Sequence, residues 1–396
     1  MKLSDKIARC DESPIRKFHP YAVAAKKRGI KIHHLNIGQP DIQTPPAYFE
    51  ALEAFRRPVL EYAPSPGIPE LIEAVRGYYA RVGVSYGADE ILITTGGSEA
   101  LLMAMLCILD EGDEVLVPEP FYPNYHTFIT MAGGRLCPIA TSPEENYQFA
   151  SREKIEPLIH EKTRAILFAT PGNPTGTTLR AEEIQLLADI AKERGLYMIC
   201  DEVYREFVYD GSPLTSAGKL ADMDENLILV DSVSKRFSAC GARIGALITR
   251  NKQLMRGAIK IAQARLSVAT LDQLGAAALY GVDAAYFDAT REEYRRRRDT
   301  CYKKLMEIPG VFACAPQGAF YTMATLPVDD TEAFQLFLLN EFEDKGETVM
   351  FAPGSGFYAT EGAGKSEIRI AYVLRCEDLE RALDLLRMAI ERYNAR

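Results

Sequence analysis

The sequence predicts an α/β fold, with a mostly parallel sheet wrapped by helices in a large domain and a smaller α+β domain beside it. Short apolar runs at 90–94, 114–118, 165–169, 197–200, 227–230 and 245–249 read as strands. Helix-like stretches at 99–109, 122–132 and 181–194 fall between them, and strands alternating with helices build parallel sheets. The strand runs are apolar throughout rather than alternating, which fits a sheet covered on both faces. In such sheets ligands meet the carboxyl ends of the strands, so chemistry is expected in the loops that follow them.

From about Asp283 the texture changes. A long charged helix pattern at 283–306 leads into short strands and helices. The expected division is a large domain at 46–285 and a small domain made of 1–45 and 286–396. A chain of 396 residues is long for one domain and comfortable for two. Its net charge of −9 argues against nucleic acid or an anionic membrane surface as a partner. The run Arg295–Arg298 reads as a solvated helix face paired with nearby glutamates. Eight cysteines form no C-x-x-C pair, so a zinc ribbon or redox motif is unsupported. With no apolar leader and no apolar run of membrane-spanning length, the cytosol is the expected compartment.

Four segments carry candidate chemistry. In TTGGSEA (94–100) a strand ends, two glycines turn and a helix starts. Free N–H groups there suit a phosphate, although a helix capped by Ser98 explains the same residues. In DSVSKRFSACGARIG (231–245) Lys235 follows a strand and two serines, and Arg243 comes eight residues later. Lysine is the nucleophile that forms a Schiff base with a carbonyl cofactor, while Arg243 and the serines can hold a phosphate. Asp201, after the strand at 197–200, can keep a pyridine nitrogen protonated, and Tyr204 can donate to a phenolic oxygen. A helix-capping aspartate is the plain alternative. TPGNPTG (170–176) is a rigid turn offering the amide of Asn173. All four follow apolar strands and can converge at one sheet edge. The G-x-G-x-x-A string at 354–359 lies late in the chain with no βαβ unit after it, so a dinucleotide site there is not expected.

Taken in order, IGQPD (37–41), YAPSPGIPELIEA (62–74), TTGGSEAL (94–101), EPFYPNY (119–125), TPGNPTG (170–176), CDEVY (200–204), SVSKRFSACGARIG (232–245) and RIAY (369–372) resemble the class I/II aminotransferases of the aspartate aminotransferase family. The resemblance covers nearly the whole chain and implies the fold type I architecture of pyridoxal 5′-phosphate (PLP) enzymes. It implies Lys235 as the Schiff-base lysine and proton shuttle between substrate Cα and cofactor C4′. Asp201 would pair with the pyridinium, Asn173 and Tyr204 with the phenolate oxygen, and Tyr122 would stack on the ring. Gly97, Ser98, Ser232 and Arg243 would hold the phosphate, with Glu99 in the same cofactor-binding run. Tyr62 would reach the phosphate of the other subunit in a homodimer with shared sites. Gly38, Asn173 and Arg369 would receive the substrate. The string at 354–359 would be a loop near the cofactor pocket. Tyr122 stands where Trp is commonest in the family, and Ala242 where a larger residue is frequent, which opens the question of substrate.

The leading expectation is ping-pong transfer of an amino group from an L-amino acid to a 2-oxo acid. An acidic donor is expected from Arg265, in QARLSVAT (263–270), a region that approaches the partner's active site in similar proteins, as a second carboxylate reader; a structural ion pair at the subunit interface is the alternative role for that residue. Aromatic or aliphatic substrates are the runner-up, with Phe18 and Tyr21 as pocket residues, and a PLP-dependent C–S β-lyase uses the same motifs. A PLP-sensing transcription regulator would need a DNA-binding domain ahead of the match at residue 37, and the segment there is short for one.

Overall fold

The computed structural model describes residues 1–10, 13–209 and 215–396. Its largest sheet has seven strands in the order Ile91–Thr94, Gly245–Ile248, Leu227–Ser232, Tyr197–Asp201, Thr163–Ala169, Glu114–Pro118 and Arg135–Ile139. All run parallel except Gly245–Ile248, which is antiparallel to both neighbours. The apolar runs have the expected physical cause: Ile91 and Ile93 pack into one helical layer, while Leu92 packs into the layer on the other face.

Helix boundaries follow local chemistry. Ala181–Arg194 starts where the Arg180 backbone N–H donates to Glu183 Oε2 at 2.7 Å, and it ends at Gly195 with φ 65°. Gly96–Ile108 begins three residues before the expected position, so Ser98 lies within its first turn and Thr95 is the N-cap. The strand Arg135–Ile139 has no counterpart among the expected runs. It lies at the sheet edge, half-exposed and with Pro138 inside it, and a proline is tolerated only where no ladder donor is needed.

The C-terminal part forms an antiparallel sheet in the order Ala352–Pro353, Glu367–Ala371, Tyr321–Thr325 and Phe312–Ala313. The helices Ala284–Met306 and Cys376–Asn394 enclose a core rich in aromatics such as Tyr294, Phe320, Phe334 and Tyr372. Leu379, Leu383, Leu386 and Ile390 give the last helix its apolar stripe. N-terminal residues join this part, because Lys31–His34 pairs in parallel with Glu347–Met350.

The arginine run departs from expectation. Arg295 and Arg296 bridge Glu292 and Glu293 on the helix surface at 2.7 Å each. Arg297 and Arg298 are buried instead. Arg297 reaches Asp41 at 2.6 Å and Arg298 donates to Pro316 O at 3.0 Å, tying the long helix to two distant segments.

Candidate active site

Six of the seven strands end their carboxyl termini at one sheet edge, and the antiparallel strand begins there, since Gly245 pairs with both Thr94 and Ser232. That single reversal brings Arg243, which precedes a strand, to the same edge as Asp201, Asn173 and Lys235, which follow strands. A cavity of about 790 Å³ opens at this edge, the size of a cofactor or ligand site.

One wall suits a phosphate. Gly97 and Ser98 line it at the start of the 13-residue helix Gly96–Ile108, where backbone N–H groups lack helical partners. Gly245 passes so close that a Cβ on it would lie 2.4 Å from the Gly96 carbonyl carbon. Arg243 adopts a left-handed φ of 53°, a strain that holds its guanidinium against Gly96. Ser232 and Ser234 complete the wall. Ser232 Oγ also accepts the Ser234 N–H at 3.1 Å, capping the short helix Val233–Arg236 that carries Lys235. Lys235 Nζ projects into the cavity and donates to Gly38 O at 2.8 Å.

Asp201 ends its strand buried, 6% exposed, at the cavity. Tyr125 Oη donates to its Oδ2 at 2.9 Å and the Val203 N–H to its Oδ1 at 3.2 Å. Burial pushes its pKa up to about 6, with those two hydrogen bonds pulling downward and the nearby Asp231 and Glu202 adding to the rise. A buried carboxyl that lacks a cation is the partner a pyridinium N–H needs. Tyr122 lines the same cavity, its ring edge-on to Tyr125 at 5.5 Å. Tyr204 and Tyr321 share a hydroxyl hydrogen bond of 2.9 Å.

The opposite wall suits a carboxylate. Arg369 is only 2% exposed and pairs with no acidic residue among those described. It donates to Asn173 Oδ1 at 3.0 Å and Asn36 O at 2.7 Å, and its Nε has no partner. The Tyr321 and Phe357 rings flank the guanidinium at 4.6 and 4.9 Å. Phe357 belongs to the 354–359 string, which forms a short 3-10 turn, Gly354–Phe357, beside this arginine.

A family model for aminotransferase class I and II matches residues 30–386. The chain belongs to that family. This aminotransferase is 30% identical to the aspartate aminotransferase of Bacillus subtilis, each chain covered in full. It is 33% identical to aromatic-amino-acid aminotransferase 2 of Thermococcus litoralis over 99% of both chains. Its fold matches the alanine aminotransferase of Pyrococcus furiosus with a TM-score of 0.90 and 30% identity, covering 99% of this chain and all of that one. It is a PLP-dependent transaminase of the fold type I architecture. The donor set fits the cofactor: a lysine amine, a buried carboxyl with no cation beside it among the described residues, and a wall of hydroxyls, helix N–H groups and one arginine.

Three expected site residues lie outside the cavity lining of this chain. Glu99 turns back along its helix, where it accepts the Thr95 N–H at 2.6 Å and pairs with Arg265 at 3.5 Å. A carboxylate facing a phosphate would be repelled, and the helix start offers it a donor instead. Arg265 also donates to Ser65 O at 3.0 Å and Ile93 O at 3.4 Å, so its guanidinium ties strands and loops together and takes no part in this chain's pocket. Tyr62 is 81% exposed and does not line the cavity. The two aromatic residues expected in the pocket are absent from it as well. Phe18 is buried in a small core with Ile32 and Met350, and Tyr21 faces outward.

Sequence reasoning gave no role to Tyr125 or Tyr321. Tyr125 had a local signal, lying three residues after Tyr122 in EPFYPNY. Tyr321 had none, because it reaches the site from the small sheet. A Cβ on Gly38 would fall 1.8 Å from its hydroxyl, so the bare Gly38 is what admits that ring.

Proposed function

We propose that this enzyme transfers the amino group of an acidic L-amino acid, aspartate or glutamate, to a 2-oxo acid such as 2-oxoglutarate by a ping-pong mechanism. The observation that carries this reading is the charge of the cavity. Among the described residues, Arg16, Lys235, Arg243 and Arg369 line it against one acid, Asp201, and such a lining attracts and orients dianions.

When bound, PLP supplies an electron sink that stabilises charge developing at the substrate Cα. Asp201 would hold a proton on the pyridine nitrogen. Asn173 and Tyr204 would donate to the phenolic oxygen, and Tyr122 would pack against the ring. Gly97, Ser98, Ser232 and Arg243 bind the phosphate. Arg369 binds the α-carboxylate through its planar fork, with Gly38 and Asn173 bounding the same subsite. Lys235 Nζ takes the proton from Cα, a transfer worth roughly 10²–10⁴ in rate.

A half-reaction screen tests this reading: each amino acid is mixed with the holoenzyme and the decay of its cofactor absorbance is followed. Aspartate or glutamate should react with the highest kcat/KM. A preference for alanine or phenylalanine would instead favour the second reading, which the Thermococcus and Pyrococcus relatives support by their names. Release of pyruvate and ammonia without an oxo acid acceptor would identify a β-lyase.

The enzyme is further proposed to be a cytosolic homodimer with shared sites, built from a large domain at 46–285 and a small one at 1–45 and 286–396. In support, none of the cysteines is in a disulfide. Phe49, Val59, Leu60 and Tyr62 expose large apolar surface close in sequence. Mixing Tyr62→Ala with Lys235→Ala protein should restore activity through hybrid dimers that hold one intact site. No recovery, with hybrids seen by native mass spectrometry, would rule out sharing.

A further inference from the structure

We propose that Arg16 is the residue of this enzyme that reads the side-chain carboxylate of its substrate. The inference rests on the acidic-donor reading above and names the group that would enforce it.

Among the described residues the cavity lining holds three arginines and one lysine. Lys235 supplies the reactive amine, Arg243 lies in the phosphate wall and Arg369 in the carboxylate wall. Arg16 is the one left without a task. Its guanidinium makes no hydrogen bond or ion pair with any described residue. The adjacent cation, Lys17, is held at 2.5 Å by Glu332. Of two neighbouring cations, one therefore serves the fold and the other faces the cavity.

The backbone beneath Arg16 is fixed although its side chain is not. The Arg16 N–H donates to Ser13 O at 3.0 Å, and the His19 N–H to Arg16 O at 2.9 Å. Phe18, Ala22 and Ala25 anchor the following helix, His19–Lys27, in a small core with Ile32, Leu339 and Met350. On the other side, Pro14 packs on Gly356, where a Cβ would lie 2.2 Å from it. Gly356 precedes Phe357, whose ring covers Arg369. The segment that presents Arg16 is thus seated against the loop that shields the α-carboxylate subsite. His19 and His34 line the cavity beside it.

This geometry suits a dicarboxylate. With one carboxylate on Arg369, a substrate side chain directed toward Arg16, which lines the same cavity and is exposed, would present it a second carboxylate for a bidentate pair. A neutral side chain would leave that guanidinium in water at little cost. Arg265, the alternative reader, has its guanidinium held by Glu99 and two backbone carbonyls.

The test uses the holoenzyme of wild type, Arg16→Gln, Arg16→Lys and, as a neighbouring control, Lys17→Gln. Two quantities are measured: the ratio of kcat/KM for aspartate to that for alanine, and the ratio of spectroscopically titrated affinities for succinate and propionate, which bind without reacting. Loss of one charged hydrogen-bonded pair should lower both ratios roughly 10- to 100-fold in Arg16→Gln. Arg16→Lys should recover only part of the loss, and Lys17→Gln should keep the wild-type ratios. If the wild type prefers acidic substrates and Arg16→Gln keeps that preference, the role of Arg16 is overturned while the acidic reading stands. Equal slowing of aspartate and alanine in Arg16→Gln would overturn it too. A wild type that prefers alanine would overturn both.

Discussion

Lys235→Ala is expected to give a folded, cofactor-binding protein whose transamination falls by at least roughly 10³–10⁴-fold, the upper span of a positioned acid–base group. The fold should hardly notice the change. Lys235 occupies a four-residue helix capped by Ser232 and pinned by Arg236, which is buried and pairs with Asp231 at 2.7 Å. The lost side chain contributes a hydrogen bond to Gly38 O at 2.8 Å, worth about 1 kcal/mol, and a long one to Cys240 Sγ at 3.9 Å. Among the described residues no other amine lines the cavity to replace it. Single-turnover decay of the cofactor absorbance with the preferred amino acid, beside a urea melt, separates the two effects. Near-wild-type turnover would remove Lys235 from the chemistry. A protein that fails to fold would show that the helix depends on this side chain.

Asp201→Asn should lose activity and gain stability at the same time. Among the described residues no cation pairs with this buried carboxyl; a pyridinium there would be its counter-charge, which an amide could not balance. Breaking a buried charge pair costs roughly 3–5 kcal/mol, so kcat should fall by at least roughly 10²-fold, while the cofactor stays bound through its phosphate. The stability effect follows from the raised pKa. Unfolded, the carboxyl ionises near 3.8; folded, burial pushes it up to about 6. Between these values the folded state holds the proton that the unfolded state has released, so the stability of the cofactor-free protein falls as pH rises through this window and levels off above it. The loss is on the order of 3 kcal/mol at 1.36 kcal/mol per unit. Asparagine has no proton to lose, so cofactor-free Asp201→Asn should lack that component of the decline and exceed the wild type at pH 7.5. Denaturant midpoints of both cofactor-free proteins at pH 4.5 and 7.5 test the linkage. Undiminished kcat would sink the pyridinium role, and parallel pH slopes would sink the linkage.

Much of the fold was legible because a doubly covered parallel strand must be apolar along its whole length. That requirement marks Leu227–Ser232 and Glu114–Pro118 in the sequence. It does not mark Arg135–Ile139, which is an edge strand and half-exposed. Several site residues were legible for a related reason. A phosphate wall needs glycine and serine at a strand-to-helix turn, and a cofactor lysine needs a short capped helix after a strand. Each demand is met within a few residues of chain, so TTGGSEA and SVSKRFSACGARIG show themselves as local patterns.

Charge partners were not legible in this way. Glu99 and Arg265 are 166 positions apart in the chain, and each looked available for ligand until folding brought them within 3.5 Å. Phe18 and Arg16 sit two residues apart on one turn, and the small core claims the first while the cavity receives the second. Tyr321 reaches Tyr204 from another sheet. By itself the sequence determined the doubly covered strands, the glycine- and serine-rich turns at their ends and the place of Lys235 after one of them, because those depend on backbone conformation and on neighbours in the chain. Only the tertiary structure decided which cations remain unpaired at the cavity, because an ion pair forms wherever packing brings opposite charges together, whatever their separation in sequence.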